Sequence, residues 1–364
     1  MRRRLLLTTD AVGGVWTYSL DLARALADAE DMVTLLAVVG PVPSTDQLTE
    51  ATAVPGLQVI ATGLPLDWTA NGETEVRDAA EALAALAADA AVDLVQLHSP
   101  ALAVAPFPAP LVSVVHSCVA TWWSAVEQGE IPADLAWRAE LVGQGLLVSD
   151  LVVAPSRAFA SAVQGAYGLA ALPQAVHNGR ASLPAQDHPS LDEALTAGRL
   201  WDAGKNVAAF DRAAALTRVP FRAAGPLRGP NGSEMTLRHA APLGLLSSED
   251  LSRLLARRPV FVSPALYEPF GLAVLEAAQA GCALVLADRP GFRELWTSAA
   301  VFVDPLDEHA IAAAVERLVA DPAIRATLGE AARRRAADFT PAATASAMLQ
   351  LYSDLVAAEQ KVAA

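Results

Sequence analysis

Lysine is almost absent from this sequence. In 364 residues it occurs twice, as Lys205 and Lys361, and arginine supplies nearly all of the 26 basic residues. Against them stand 40 acidic residues, for a formal net charge of −14. That balance excludes a nucleic-acid partner and a broadly cationic membrane-binding face, with the short Arg2 to Arg4 run as the one exception. Cysteine is also scarce. Cys118 and Cys282 are too few for a disulfide framework or a metal site, and read as small core residues. No Asp-x-Asp occurs, and the six histidines lack metal-ligand spacing, so no metal is expected. Long apolar runs are missing too, although 53% of the chain is hydrophobic. The stretch from Leu94 to Val126 carries no Asp, Glu, Lys or Arg, but Pro100, Pro106, Pro108 and Pro110 break it. No uninterrupted span of roughly 20 apolar residues remains, and no integral membrane segment is expected. The basic start is followed by only three leucines before Thr8, far short of a secretory signal core. A cytoplasmic chain is therefore expected.

What is present is an alternation of short apolar runs with alanine-rich helical segments. Strands are expected at "RRLLLTTD", "DMVTLLAVVG", "GLQVIATG", "DLVQLHSP", "PLVSVVHS" and "DLVVAPS", then at "TAGRLWD", "FRAAGP", "PVFVSPAL", "CALVLAD" and "AVFVDP". Continuous apolar runs mean strands buried on both faces, hence parallel sheets covered by helices. Two doubly wound α/β domains follow, since one core of this length would be unusual. The polar, Pro-containing segment after Gly179 is the linker candidate. The expected organisation is a first domain over 1–180, a linker over 181–194, a second domain over 195–340, and a terminal helix over 341–364.

The segment "ALYEPFGLAVLEAAQAGCALVLA" places two carboxylates, Glu268 and Glu276, in apolar surroundings. Ligands of open parallel sheets bind beyond the carboxyl ends of strands, where a loop enters a helix N-terminus. This segment reads as such a loop and helix. A carboxylate on so apolar a helix needs donors or a cation: the two hydroxyls of a ribose would satisfy Glu276, and so would a structural arginine. Glu268 lies on the loop, where Gly271 allows close approach and free backbone N–H groups can receive an anion. Its alternative is a solvated charge at a helix start.

The spacing of these two glutamates, followed by "AAQAGCALVLAD", resembles the E-x7-E signature of retaining GT-B glycosyltransferases, particularly glycosyltransferase family 4. The resemblance extends through "TTDAVGGVWTYSLDLARAL", "LVSVVHS", "LVVAPSRAFA" and "AGRLWDAGKNV", in the family's order. It implies two Rossmann-like domains facing across a cleft, with the terminal helix crossing back to the first. Arg199 and Lys205 match the basic pair that binds the donor diphosphate, where fixed cations stabilise the leaving charge. Phe270, Gly271 and Leu272 would lie against the same donor, the last two through backbone N–H groups. Glu268 would hold hydroxyls of the transferred sugar, and Glu276 those of the ribose.

In the first domain the resemblance places Gly13 and Gly14 near the diphosphate and His116 near the transferred sugar. Without it, "VGG" is an ordinary tight turn and His116 a satisfied core residue. Trp122 and Trp123 are the acceptor candidates, since indole offers a flat face to a sugar; packing of their helix onto its sheet is the alternative. His177, Asn178 and Gly179 are followed by Arg180, where the family continues with an aliphatic residue. The implied function is hexose transfer, with retention, from a nucleoside-diphosphate sugar to a saccharide, lipid-linked or small-molecule hydroxyl. No cofactor is implied. A nucleotide-sugar epimerase or phosphorylase of the same fold and a non-catalytic nucleotide-sugar binder remain alternatives. The missing G-x-G-x-x-G disfavours a dinucleotide-dependent dehydrogenase.

Overall fold

A computed structural model describes residues 3–30, 32–181, 188–230 and 232–363. Arg2 and the 182–187 part of the expected linker lie outside the described residues. The chain divides into two compact units. One comprises Met1–Gly179 with Pro341–Ala364, and the other Arg180–Thr340.

The first unit is built on seven parallel strands: β1 (Arg4–Thr9), β2 (Val33–Val38), β3 (Leu57–Ala61), β4 (Leu94–Leu97), β5 (Leu111–Val114), β6 (Leu151–Ala154) and β7 (Gln174–Ala175). Their order is β3-β2-β1-β4-β5-β6-β7. Six residue pairs hold β1 to β2, from Arg4 against Val33 to Thr9 against Val38. Successive side chains of a strand point to opposite faces, yet Leu5, Leu6 and Leu7 are all fully buried. Both faces of the sheet are therefore covered, which is why the run is continuous rather than alternating. The terminal helix, Pro341–Ala363, adds Ala345, Met348 and Tyr352 to the core around β1 and β4.

The second unit has six parallel strands: β8 (Ala194–Ala197), β9 (Phe221–Ala224), β10 (Ala241–Gly244), β11 (Val260–Ser263), β12 (Leu284–Ala287) and β13 (Ala300–Val303), in the order β10-β9-β8-β11-β12-β13. All four residues of β11 and of β12 are buried. In both sheets the order reverses beside the first strand, between β1 and β4 and between β8 and β11. The crevice beyond the carboxyl ends at such a switch point is where doubly wound sheets bind ligands.

Two details differ from the sequence expectation. The strand expected at "TAGRLWD" ends at Ala197, and Gly198 to Asp202 form a loop leading into a short 3-10 turn, Ala203–Lys205. Gly198 donates its amide to the Ala224 carbonyl at 3.0 Å, tying this loop to the end of β9. The edge strands β7 and β10 were not expected. One has two residues; the other, "APLG", contains proline and glycine, lies largely exposed, and pairs with a register shift. Edge position tolerates such residues and removes the apolar signal. Among the described residues no helix is long and apolar enough to cross a membrane.

Candidate active site

At the switch point of the second unit, two loops are fastened to each other. The Gly204 carbonyl, in the loop after β8, accepts from the Leu266 and Tyr267 amides after β11 at 2.9 and 3.1 Å. Asn206, at φ 52°, donates its side-chain amide to the Pro264 and Pro305 carbonyls at 3.0 and 2.8 Å, so three strand ends share one clamp. The sequence showed Asn206 only as the neighbour of Lys205. Asparagine tolerates the left-handed region, and its two amide protons suit two carbonyls.

This clamp brings together two of the expected residues. Lys205 Nζ donates to Glu268 Oε2 at 2.5 Å, with both side chains less than a fifth exposed. Arg199 stands on the same recess, which Thr196, Gly198, Lys205, Ser263 and Glu268 also line. Its guanidinium donates to Asp202 at 3.1 Å and lies over the Trp201 ring. Asp202 also accepts from the Gly204 amide, which sets the turn that carries Lys205. Gly271, at φ 95°, caps the helix Leu272–Gln279 without a side-chain hydrogen bond. The positive φ favours glycine here, and a Cβ would come within 3.2 Å of the Glu268 side chain, which would have to shift to admit it. The Phe270 ring is buried edge-on against Phe339 and belongs to the core.

Glu276 lies further along this helix and is paired as well. Arg180 Nε donates to its Oε1 at 2.9 Å. The arginine partner given as the alternative for Glu276 is present, and Glu276 stands on the helix whose first turn lines the recess with Lys205. The sequence marked Arg180 as a departure without revealing its partner, because 96 positions separate the two.

In the first unit, Gly13, at φ 85°, and Gly14 form the turn from β1 into the helix Gly14–Glu30. In the same unit three rings pack edge-on: Tyr18 on His98 at 5.3 Å, Tyr18 on His116 at 4.7 Å, and His98 on His116 at 4.8 Å between centroids. Burial lowers the His116 pKa to about 4 and that of His98 well below its usual value. His98 is fully engaged. Gln96 Oε1 accepts from the Tyr352 hydroxyl, so its amide nitrogen turns to His98 Nε2 at 2.8 Å and donates there. The His98 proton is then on Nδ1, facing Ser19 Oγ at 3.2 Å. His116 Nε2 is buried and has no hydrogen-bond partner. Trp122 and Trp123, on the helix Val119–Val126, are half-buried, with centroids 6.2 Å apart. Trp123 Nε1 donates to the Gly129 carbonyl.

Comparison with known proteins bears on the family and the fold. The model described as Glycosyltransferase Family 4 matches residues 12–180, and that described as Glycosyl transferases group 1 matches residues 238–335. A D-inositol 3-phosphate glycosyltransferase from Salinispora arenicola is 28% identical, covering 96% of this chain and 89% of that protein. A glycogen synthase from Mycobacterium tuberculosis is 39% identical over 32% of this chain, and the match spans only 29% of that enzyme. Among solved structures, a sucrose-phosphate synthase from Thermosynechococcus elongatus aligns with a TM-score of 0.74 at 21% identity, over 98% of this chain and 100% of that one. Anabaena HepE in complex with UDP-glucose aligns at 0.73 with 20% identity, over 96% and 99%. Two family models in chain order, two sheets with the same strand reversal, and alignment over nearly the whole length lead to one conclusion: this chain belongs to the family 4 type of GT-B glycosyltransferases.

Proposed function

We propose that the protein is a retaining glycosyltransferase, moving a hexose from a nucleoside-diphosphate sugar to a hydroxyl acceptor without a metal ion. The observation that carries this reading is the Lys205–Glu268 pair at the switch point, beside the glycine-capped start of the helix Leu272–Gln279. A cation and a carboxylate meet on one recess, which Ala273 and Val274 of the helix's first turn also line, where backbone N–H groups have no partner within the helix. A sugar diphosphate asks for all three: anionic oxygens for the ammonium and the helix end, hydroxyls for the carboxylate. The complexes of HepE with UDP and with UDP-glucose support a donor of this class.

In the reaction the acceptor oxygen bonds to the anomeric carbon on the face that the diphosphate leaves. As the carbon–phosphate oxygen bond breaks, the acceptor proton passes to the departing phosphate oxygen. Lys205 and Arg199 stabilise the charge that develops on the diphosphate, the role a divalent ion fills elsewhere. Glu268 holds the sugar's hydroxyls, Glu276 the ribose, and His116 acts on the transferred sugar. Trp122 and Trp123 are proposed to present flat faces to the acceptor.

The test is incubation with UDP-, ADP- and GDP-hexoses, following nucleoside diphosphate release, thermal shift and the anomeric configuration of the product. Diphosphate release with a retained anomer is expected. A converted sugar that stays on its nucleotide would favour the epimerase alternative, and stabilisation without turnover a binding protein. The absence of both stabilisation and diphosphate release with every donor would overturn the reading.

A further inference from the structure

Arg180, Glu276 and Gln279 form a small closed cluster to which the reaction above gives no joint role. Glu276 and Gln279 are three positions apart on the helix Leu272–Gln279, so they share a face. Gln279 Nε2 donates to the Arg180 carbonyl at 2.9 Å. The Arg180 amide donates to the Phe339 carbonyl at 3.2 Å. Its Nε then reaches back to Glu276 Oε1 at 2.9 Å, and both side chains of the pair are less than a fifth exposed. Residue 180 is thus fixed at both backbone polar groups, one of them by the helix that carries Glu276. Phe339, the other anchor, packs on Phe270 in the loop that leads into that helix.

This arrangement does more than neutralise a charge. An ionised carboxylate offers about four acceptor positions, and Arg180 uses one, leaving room for two hydroxyls. A free glutamate would lose rotamer freedom when a ligand ordered it; one already held by a fixed guanidinium has lost it beforehand. We propose that Arg180 is a positioning residue for the nucleotide ribose, presetting the Glu276 carboxylate so that the 2′ and 3′ hydroxyls meet it in one orientation. The inference rests on the donor reading above, in which Glu276 holds the ribose.

Calorimetry with UDP, ADP and GDP, each beside its 2′-deoxy form, tests both ideas separately. The wild type should bind one ribonucleotide about tenfold or more tightly than its deoxy form, the scale of a hydrogen bond to a charged group. Arg180→Leu should weaken ribonucleotide binding and bring that discrimination down to roughly two- to threefold, while the deoxy form binds nearly as before. Arg180→Lys, which keeps a cation but not the fork, should fall between. The donor KM should rise with the Kd while kcat holds, and in a Glu276→Gln background Arg180→Leu should change nothing further. A lowered melting temperature with the ribose discrimination intact, in either Arg180 variant, would make the pair merely structural and overturn the proposal. If Glu276→Gln itself leaves the discrimination unchanged, or no ribonucleotide binds, the donor reading fails and takes this inference with it.

Discussion

Lys205 and Glu268, 63 positions apart in sequence, meet end to end at 2.5 Å between the loops that follow β8 and β11. Each neutralises the other, so a ligand that takes the ammonium must also satisfy the carboxylate. A molecule with a phosphate beside a polyhydroxylated ring does both.

Replacing Lys205 with alanine should therefore lower turnover by about 2–4 kcal/mol of transition-state stabilisation, the range for one lost electrostatic contact at a developing charge. EDTA should leave the wild-type rate unchanged. Steady-state rates with and without chelator check both statements, and inhibition reversed by a divalent ion would overturn the metal-free mechanism.

If this carboxylate serves the sugar, as proposed, Glu268→Ala should abolish most turnover and leave nucleoside diphosphate affinity nearly intact. The pair remains partly open to water, so its loss should cost less than the roughly 3–5 kcal/mol of a fully buried one. Melting temperature, diphosphate affinity and donor turnover measured on one sample decide the matter. A folded variant with full turnover would remove Glu268 from the mechanism.

Acid should destabilise the first unit through its histidines. His116 titrates at about 4 in the folded protein, against an ordinary 6.5. Between these values the unfolded chain binds more protons, so the contribution is complete above about pH 6.5 and is lost as pH falls toward about 4. It amounts to on the order of 3 kcal/mol. His98 shifts in the same direction. Asp67, whose carboxyl burial raises, opposes the trend nearer the carboxylate range. Melting temperature should hold from about pH 8 to about pH 7 and fall below pH 6.5, with a shallower fall in His116→Phe. An equal fall in that variant would assign the acid sensitivity to other groups.

Gly225→Ala should damage the second unit. A Cβ at this residue, whose φ is 137°, would lie 1.8 Å from the Gly198 carbonyl oxygen at the start of the loop that bears Arg199 and Lys205. Overpacking and backbone strain together should cost about 2–6 kcal/mol. Thermal melting and diphosphate titration report the two consequences, and wild-type values in both would mean that the loop yields freely.

The elements that were legible in sequence are those with a local signature. Leu5 to Leu7, Val260 to Val262 and Leu284 to Leu286 announce strands buried on both faces, and Gly271 announces a helix start. Glu268 and Glu276 stood out because apolar surroundings make a carboxylate conspicuous. The parts that were not legible depend on distance along the chain. Nothing near Arg180 indicates Glu276, nothing near Gln96 indicates Tyr352, and the end of β8 at Ala197 is set by how its loop meets β9. Tertiary partners decide these, and a single sequence does not carry them.

Tyr352 also bears on the order in which the protein can be completed. A core that begins at Leu5 receives Ala345, Met348 and Tyr352 from the helix Pro341–Ala363, and the whole second unit is threaded between. During synthesis the emerging amino-terminal sheet must wait, with part of its apolar surface uncovered, while 161 further residues, Arg180–Thr340, are made. The second unit, continuous in sequence, has no such delay. The first unit can be completed only after the second has been made, and the apolar surface left for its terminal helix is open to aggregation or chaperone capture until then.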